Sequence, residues 1–414
     1  MLGLFFLSLI GLTFVFDSDD ASDETSDDTA DTSETSETDV EIVPLDVVLA
    51  DGDSQSGTGG DDTFSGGDLE NVFVAAGAGD DLIESSGAND NVTIEGGAGD
   101  DTITGPTGAD YTARANYDGS QIDGGAGDDL VEHLNGDVTI LGGEGDDIIR
   151  NVDVSLVDGG NGDDLLEELD ANRVLGGEGD DVIRSVNASF VDGGAGDDVI
   201  RTRVARVEGG DGNDDIRNTY YYGAIEGGAG DDTIGGGPAG SISAGDGNDV
   251  VYAGMSPEPT STDLGAGNDT LLSSAVDDSF IGLLTPDGIT TGDGSDVVRY
   301  SFEHTGAAFQ DAVEDEFWGA GNVPTVAEIG RIGSVADFEP GVDKLEFETD
   351  LQKSDGYEFV GFDIIDDANG ATVQFQFNHP LAEDGATVAV SVRLSGATGV
   401  TADDITVIDA TASS

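Results

Sequence analysis

A glycine, two residues later an aspartate, and two residues after that an apolar side chain recur at a nearly fixed interval through the middle of this 414-residue chain. One copy is GGEGDDII from Gly142, and the next, GGNGDDLL, starts at Gly159. No single repeat is long enough to bury an apolar face, so neighbouring repeats have to stack, and the period thereby limits the fold more tightly than any local propensity. The aligned glycines are Gly60, Gly79, Gly99, Gly127, Gly145, Gly162, Gly179, Gly196, Gly212, Gly230, Gly247, Gly267 and Gly294. Most intervals are 16 to 20 residues. The two long ones contain GPTGADYTARANYDGS and SSAVDDSFIGLLTPDG and read as loops bulging from a regular stack.

Two residues after those glycines stand Asp62, Asp81, Asp101, Asp129, Asp147, Asp164, Asp181, Asp198, Asp214, Asp232, Asp249, Asp269 and Asp296, and two residues further on the side chain is always apolar, from Phe64 through Ile149 to Val298. A turn-rich loop followed by a β-branched segment predicts a strand. A second apolar column (Val157, Val174, Val191, Val207, Ile225, Ile242) precedes each loop and predicts another. Such short strands pair only with their equivalents in the next repeat, which gives stacked coils. Val152, Leu169 and Val186 suggest a third inward column, while Arg150, Glu167, Arg184, Arg201 and Arg217 fall on the outer, solvated face.

Composition says what the loops have to solve. There are 65 glycines, no cysteine, and 88 acidic against 13 basic residues, for a formal net charge of -75. That much charge opposes compaction unless cations lie between the carboxylates, and it excludes nucleic acid as a natural partner. Without thiolates the available ligands are oxygens, which suit hard cations, and calcium takes six to eight of them. Glycine lets loop carbonyls turn inward, aspartate supplies charge, and coils spaced by about 4.8 Å let one loop complete its neighbour's site.

GGAGDDTI at Gly96, GGEGDDII at Gly142 and GGAGDDVI at Gly193 match the nonapeptide G-G-x-G-x-D-x-U-x, where U is apolar. The chain resembles the hemolysin-type (RTX) calcium-binding repeat proteins of Gram-negative bacteria, over roughly residues 51–298. The resemblance implies an all-β, right-handed parallel β-roll of about thirteen coils. It implies as calcium ligands the column aspartates together with carbonyls of the loop glycines Gly97, Gly99, Gly125, Gly127, Gly143, Gly145, Gly160, Gly162, Gly177, Gly179, Gly194, Gly196, Gly210, Gly212, Gly228 and Gly230. It further implies an extracellular or cell-surface location, with export by a type I system reading the C-terminal end. VADFEPGVDKLEF, from Val335, looks like the segment that follows the roll in that family.

The chain departs from relatives that carry calcium on both edges, because its opposite turns, NVDVS, LDAN and VNAS, lack glycine. Calcium loops are therefore expected on one edge only. The first aspartate of each pair alternates with Asn213, Asn248, Asn268 and Ser295, and is expected to make a backbone contact or add field rather than ligate. Asn71 and Asn91, in degenerate copies, are weak candidate ligands. The plain alternative for the loop is a tight turn without metal, since glycine and aspartate are common turn residues. Thirteen uncompensated acidic turns stacked on one edge argue against it.

Residues 1–16, almost wholly apolar, would span about 24 Å as a helix, a little short of a bilayer core. They read as a membrane anchor or export signal, or as the product of a misassigned start codon, and any membrane contact is expected there alone. Residues 17–50 read as an acidic disordered spacer. Residues 299–414, with the only Trp and both Lys, read as a β-rich C-terminal cap and type I secretion region, covering the open end of the stack.

Catalytic motifs are lacking. Neither HExxH nor G-x-S-x-G occurs, and His133, His304 and His379 are the only histidines. His133 reads as a surface residue, and Glu314 and Glu316, between His304 and Trp318, as part of an acidic surface segment. The expected function is therefore that of a non-enzymatic secreted or surface calcium-binding protein, structural or adhesive, with glycan, matrix or a cell surface as its partner. A secreted enzyme with an unrecognised active site in the C-terminal domain is the alternative.

Overall fold

The computed structural model describes residues 44–87, 89–106, 117, 119–220, 223–236, 240–253, 261–275, 287–302, 326–349, 358–378 and 387–409, all within the compact unit 42–414. They are almost entirely β-structure, with one short 3-10 turn at Ala402–Asp404. Each repeat supplies a strand after its glycine loop, such as Leu130–Glu132, and another leading into the next loop, such as Val138–Glu144. Both pair in parallel with their equivalents one coil away: Val131 stands beside Ile103 and Ile149, and Ile140 beside Ile122 and Val157.

The product is a parallel β-solenoid of about eleven turns. The three apolar columns form the core. No member of the first, Phe64 to Val298, is more than 2 % exposed; Val157, Val174, Val191 and Val207 are fully buried, and so nearly are Val152, Leu169 and Val186. Alternation along each strand sends the next side chain outward, where Arg150 pairs with Glu132, Arg184 with Glu167 and Arg201 with Asp215 across adjacent coils.

After the first strand the chain turns a corner on a left-handed residue: His133, Asn151, Glu168 and Ser185 have φ between +55° and +63° and occupy equivalent positions in successive coils. The N-terminal coils have a polar core element that sequence patterning did not indicate. Tyr117, from the first bulging segment, is 1 % exposed and hydrogen-bonds Ser85 and Asn89.

Both ends extend the stack. Asp46–Val48 pairs with Thr63–Ser65, so the solenoid reaches into the stretch read as spacer up to residue 50, with Val47 and Leu49 turned to the core. At the other end Val297–Phe302 pairs in parallel with Lys344–Thr349, which pairs in parallel with Ile405–Asp409. Val326–Val335 pairs in parallel with Thr387–Ser395, which continues antiparallel through Gly370–Asn378 to Glu358–Asp367. The C-terminal β-structure thus shares the roll's sheet. Its own core is aromatic, with Phe347 stacked on Phe375 at 3.9 Å between ring centroids.

Candidate metal centre

The column aspartates are the buried acidic residues of the solenoid; all thirteen are at most 2 % exposed. In the eight loops from Gly96 to Gly227 three glycines clear the aspartate's way inward, while Ala76, Ala244, Leu264 and Thr291 take the first of these places in four others. In the loop from Gly142, Gly143 and Gly145 adopt φ of +131° and +126°, in the left-handed region that disfavours other residues. A Cβ on Gly143 would stand 2.1 Å from the Gly125 carbonyl oxygen one coil back. A Cβ on Gly142 would stand 2.2 Å from Asp147 Oδ2 and 2.2 Å from the Gly159 carbonyl oxygen one coil on. Gly176 repeats this, with Asp181 Oδ2 at 2.2 Å and the Gly193 carbonyl at 2.3 Å. A carboxylate oxygen of one loop and a carbonyl oxygen of the next therefore converge across a bare Cα.

Hydrogen bonding satisfies only half of each carboxylate. The N–H of Asp147 donates to Asp164 Oδ1, that of Asp164 to Asp181 Oδ1, and that of Asp181 to Asp198 Oδ1, each at 2.8 Å. The pattern runs from Asp62 to Asp296. The other oxygen, Oδ2, is buried and accepts no hydrogen bond in Asp81, Asp101, Asp129, Asp147, Asp164, Asp181, Asp198, Asp214, Asp232, Asp249, Asp269 and Asp296. A buried acceptor left unmet costs about 1–3 kcal/mol, and more when it is charged, so twelve in one column demand an explanation. A bound cation would supply one.

Electrostatics point the same way. Burial, reinforced by the neighbouring carboxylates, pushes Asp181 up to about 8, Asp101, Asp147, Asp198, Asp232 and Asp269 to about 7, and Asp214 and Asp296 to about 6. Asp81 and Asp249 are raised as well. Burial thus disfavours the ionised form along the column, most strongly at Asp181. Among the described residues no three acidic or His side chains cluster as a ready metal site. One carboxylate per coil means that the remaining ligands would be loop carbonyls, a donor set suited to calcium.

Asp62, expected to be a ligand like the rest, has a different environment. Its Oδ1 accepts from the Leu45 N–H, and its Oδ2 from the N–H of Thr58, which stands where the other loops carry the second glycine. The first aspartates of the pairs make the expected backbone contact, as a second ladder of opposite sense: Asp163 N–H donates to Asp146 Oδ1 and Asp180 N–H to Asp163 Oδ1. These residues are exposed, and Asn213 and Asn248 keep the ladder intact with an amide oxygen. Asn71 and Asn91 are exposed, stack with Asn91 Nδ2 donating to Asn71 Oδ1 at 2.7 Å, and sit at left-handed corners.

His133 lies at a corner with Nδ1 3.4 Å from Glu132 Oε1. His304, Glu314, Glu316, Trp318 and His379 lie outside the described residues, as do residues 1–16. No described helix is long and apolar enough to cross a membrane.

A parallel β-solenoid with glycine loops and a column of half-satisfied buried carboxylates on one edge defines a metal-binding β-roll. The family model described as RTX calcium-binding nonapeptide repeat (4 copies) matches residues 77–111, 123–150, 169–185, 188–203, 224–238 and 241–255, and together with the parallel β-solenoid this match supports an RTX-type β-roll. No curated protein matches it.

Proposed function

We propose that this is a non-enzymatic protein of the cell exterior, secreted or surface-displayed, whose β-roll folds when it meets extracellular calcium and then serves as a rigid structural or adhesive element. One observation carries the reading: twelve buried aspartate oxygens on a single edge have no donor from the protein. Several calcium ions, held by Asp81 to Asp296 and by carbonyls of the loop glycines Gly97 to Gly230, would supply positive charge where the chain supplies none.

Extracellular calcium modules bind at about 0.1–1 mM, so at cytosolic calcium the sites would be empty and the acidic edge self-repelling. An unfolded chain suits passage through a type I exporter. Outside, each site filled at tenfold excess over its Kd adds about 1.4 kcal/mol to the folded state. Export through a C-terminal signal and a glycan, matrix or cell-surface partner belong to this reading, as does residues 1–16 being the one membrane contact.

Calcium titration by calorimetry, with circular dichroism recorded in parallel, tests it. β-structure gained cooperatively as calcium binds, and lost in EDTA, is the expected result; a β-signal and compactness identical in EDTA and calcium would overturn it.

A further inference from the structure

The aspartate column does not end with the last glycine loop. Lys344 stands beside Val297 in the parallel pairing, which places Asp343 in register with Asp296. Asp343 plays the part of a next rung, since its Oδ1 accepts the N–H of Asp296 at 3.1 Å. Its other oxygen differs from those of the twelve. Asp343 Oδ2 accepts from the Glu339 N–H at 2.7 Å, with the Thr291 hydroxyl at 3.4 Å.

Asp404 then closes the stack from its 3-10 turn. Its Oδ1 accepts from the Gly341 N–H at 2.8 Å with Lys344 Nζ at 3.9 Å, and its Oδ2 from the Thr401 N–H at 2.8 Å and hydroxyl at 3.0 Å. Both carboxylates are as buried as those of the roll, at 1 % and 2 % exposure.

Other acidic groups here also find partners within the chain. Arg393 grips Asp367 with two nitrogens at 2.8 and 2.9 Å, and Arg299 reaches Glu346 at 2.6 Å. The apolar side is self-sufficient too, with Phe347, Phe375, Phe377, Val388, Val390 and Val392 fully buried.

From these contacts we infer that the C-terminal cap, over its described residues 326–349, 358–378 and 387–409, is a calcium-independent folded unit in which Asp343 and Asp404 are positioning residues rather than metal ligands, and that it presents a finished rung on which the last calcium loop, at Asp296, is seated. Replacing the cation by N–H, hydroxyl and ammonium donors gives the metal-dependent stack an end that stands without metal. The inference rests on the calcium reading of the column, and the test separates the two.

Hydrogen exchange on the full chain, read by mass spectrometry in calcium and in EDTA, decides. In EDTA the amides of 344–349, 371–378, 388–395 and 405–409 are expected to exchange at least about a hundredfold more slowly than those of 148–178 and 199–251. Cap amides that exchange along with the roll overturn this inference alone; roll amides that stay protected in EDTA overturn the calcium reading and this inference with it. In Asp404→Ala, cap protection in EDTA should fall at least about tenfold, while the number of ions bound at saturating calcium, counted by native mass spectrometry, equals that of the parent; fewer ions make Asp404 a ligand and overturn the assignment. Should that variant not fold in calcium, Thr401→Val, which removes a single donor, is read by the same two measurements.

Discussion

The N–H of Asp164 donates to Asp181 Oδ1 at 2.8 Å, while Asp181 Oδ2, on the same carboxylate, is buried and meets no donor. One oxygen holds the coils in register and the other is left for a cation. Because the two tasks fall on different atoms of one side chain, changing its charge separates them.

Asp181→Asn keeps the amide oxygen that can accept from Asp164 and removes the charge. In calcium it should lower stability by about 2 kcal/mol, the scale of a lost charge-assisted interaction, and raise the calcium concentration needed to fold. In EDTA the sign should reverse, since the neutral amide spares the roll a buried carboxylate that nothing compensates, and the metal-free chain should gain β-structure at a higher pH than the parent does. Asp62→Asn, where Thr58 and Leu45 already meet both oxygens, should leave calcium affinity within about twofold. A thermal melt in saturating calcium and a pH titration followed by circular dichroism in EDTA check the crossing; a change of the same sign in both would sink the division of labour.

Acidity should act in opposite directions with and without calcium. Burial raises the folded-state values to about 6 at Asp129, about 7 at Asp147 and about 8 at Asp181, above the roughly 3.9 of an unfolded aspartate. A carboxyl with a raised folded pKa binds its proton more tightly when folded, so its contribution is fully present below about pH 4 and is lost as the pH climbs through about 6 to 8. In EDTA, lowering the pH from 8 to 5 should therefore recover β-structure. In calcium the same change should weaken ion binding, because protons compete for the Oδ2 atoms. Circular dichroism at both pH values, with and without EDTA, measures this; a metal-free protein that loses structure on acidification contradicts it.

Most of the roll is legible in the sequence because a fixed interval puts one residue type on one rung. Gly145, Asp147 and Ile149 repeat as Gly162, Asp164 and Leu166, and a reader needs only the period to place loop, carboxylate and core. The third apolar column at Val152 and Leu169 was readable for the same reason. What one coil does to the next is less visible. Nothing in the pair Asp146–Asp147 reveals two ladders running in opposite senses, since that depends on which oxygen faces which N–H. Thr58 in the place of a glycine was the available signal for the altered first loop. Gly341, Asp343 and Leu345 preserve the spacing of the column, but 47 residues separate Gly341 from Gly294, and the broken interval hid the rung. Tyr117 was concealed by a stretch with no period at all.

Glycines in the roll should differ sharply in tolerance. At Gly177 φ is +131°, and a Cβ would stand 2.0 Å from the Gly160 carbonyl oxygen, part of the backbone of the adjoining coil. Gly177→Ala should cost at least about 2 kcal/mol, combining left-handed strain with a displaced rung, and should weaken calcium binding. Gly235 sits in a strand where an added Cβ meets nothing closer than Tyr252 at 3.6 Å. Gly235→Ala should be neutral or stabilising by up to about 1 kcal/mol. Denaturant titrations of both variants in saturating calcium give the comparison, and equal effects would refute the stacking argument.

The left-handed corner offers a way to strengthen the roll without touching the calcium edge. Glu168 is exposed and holds φ at +55°, a conformation that costs a side chain with a Cβ about 1–2 kcal/mol and that asparagine tolerates better. Asn151 already occupies the equivalent corner one coil earlier at +56°. Since the strain is local and the side chain lies on the surface, Glu168→Asn should stabilise the calcium-loaded protein by about 0.5–1 kcal/mol and leave the calcium midpoint of folding shifted only by that amount. Glu168→Val, which adds a β-branch where the backbone is already crowded, should destabilise it by a similar margin or more. If the two substitutions move the melting temperature in the same direction, the corner is held by something other than its backbone angle.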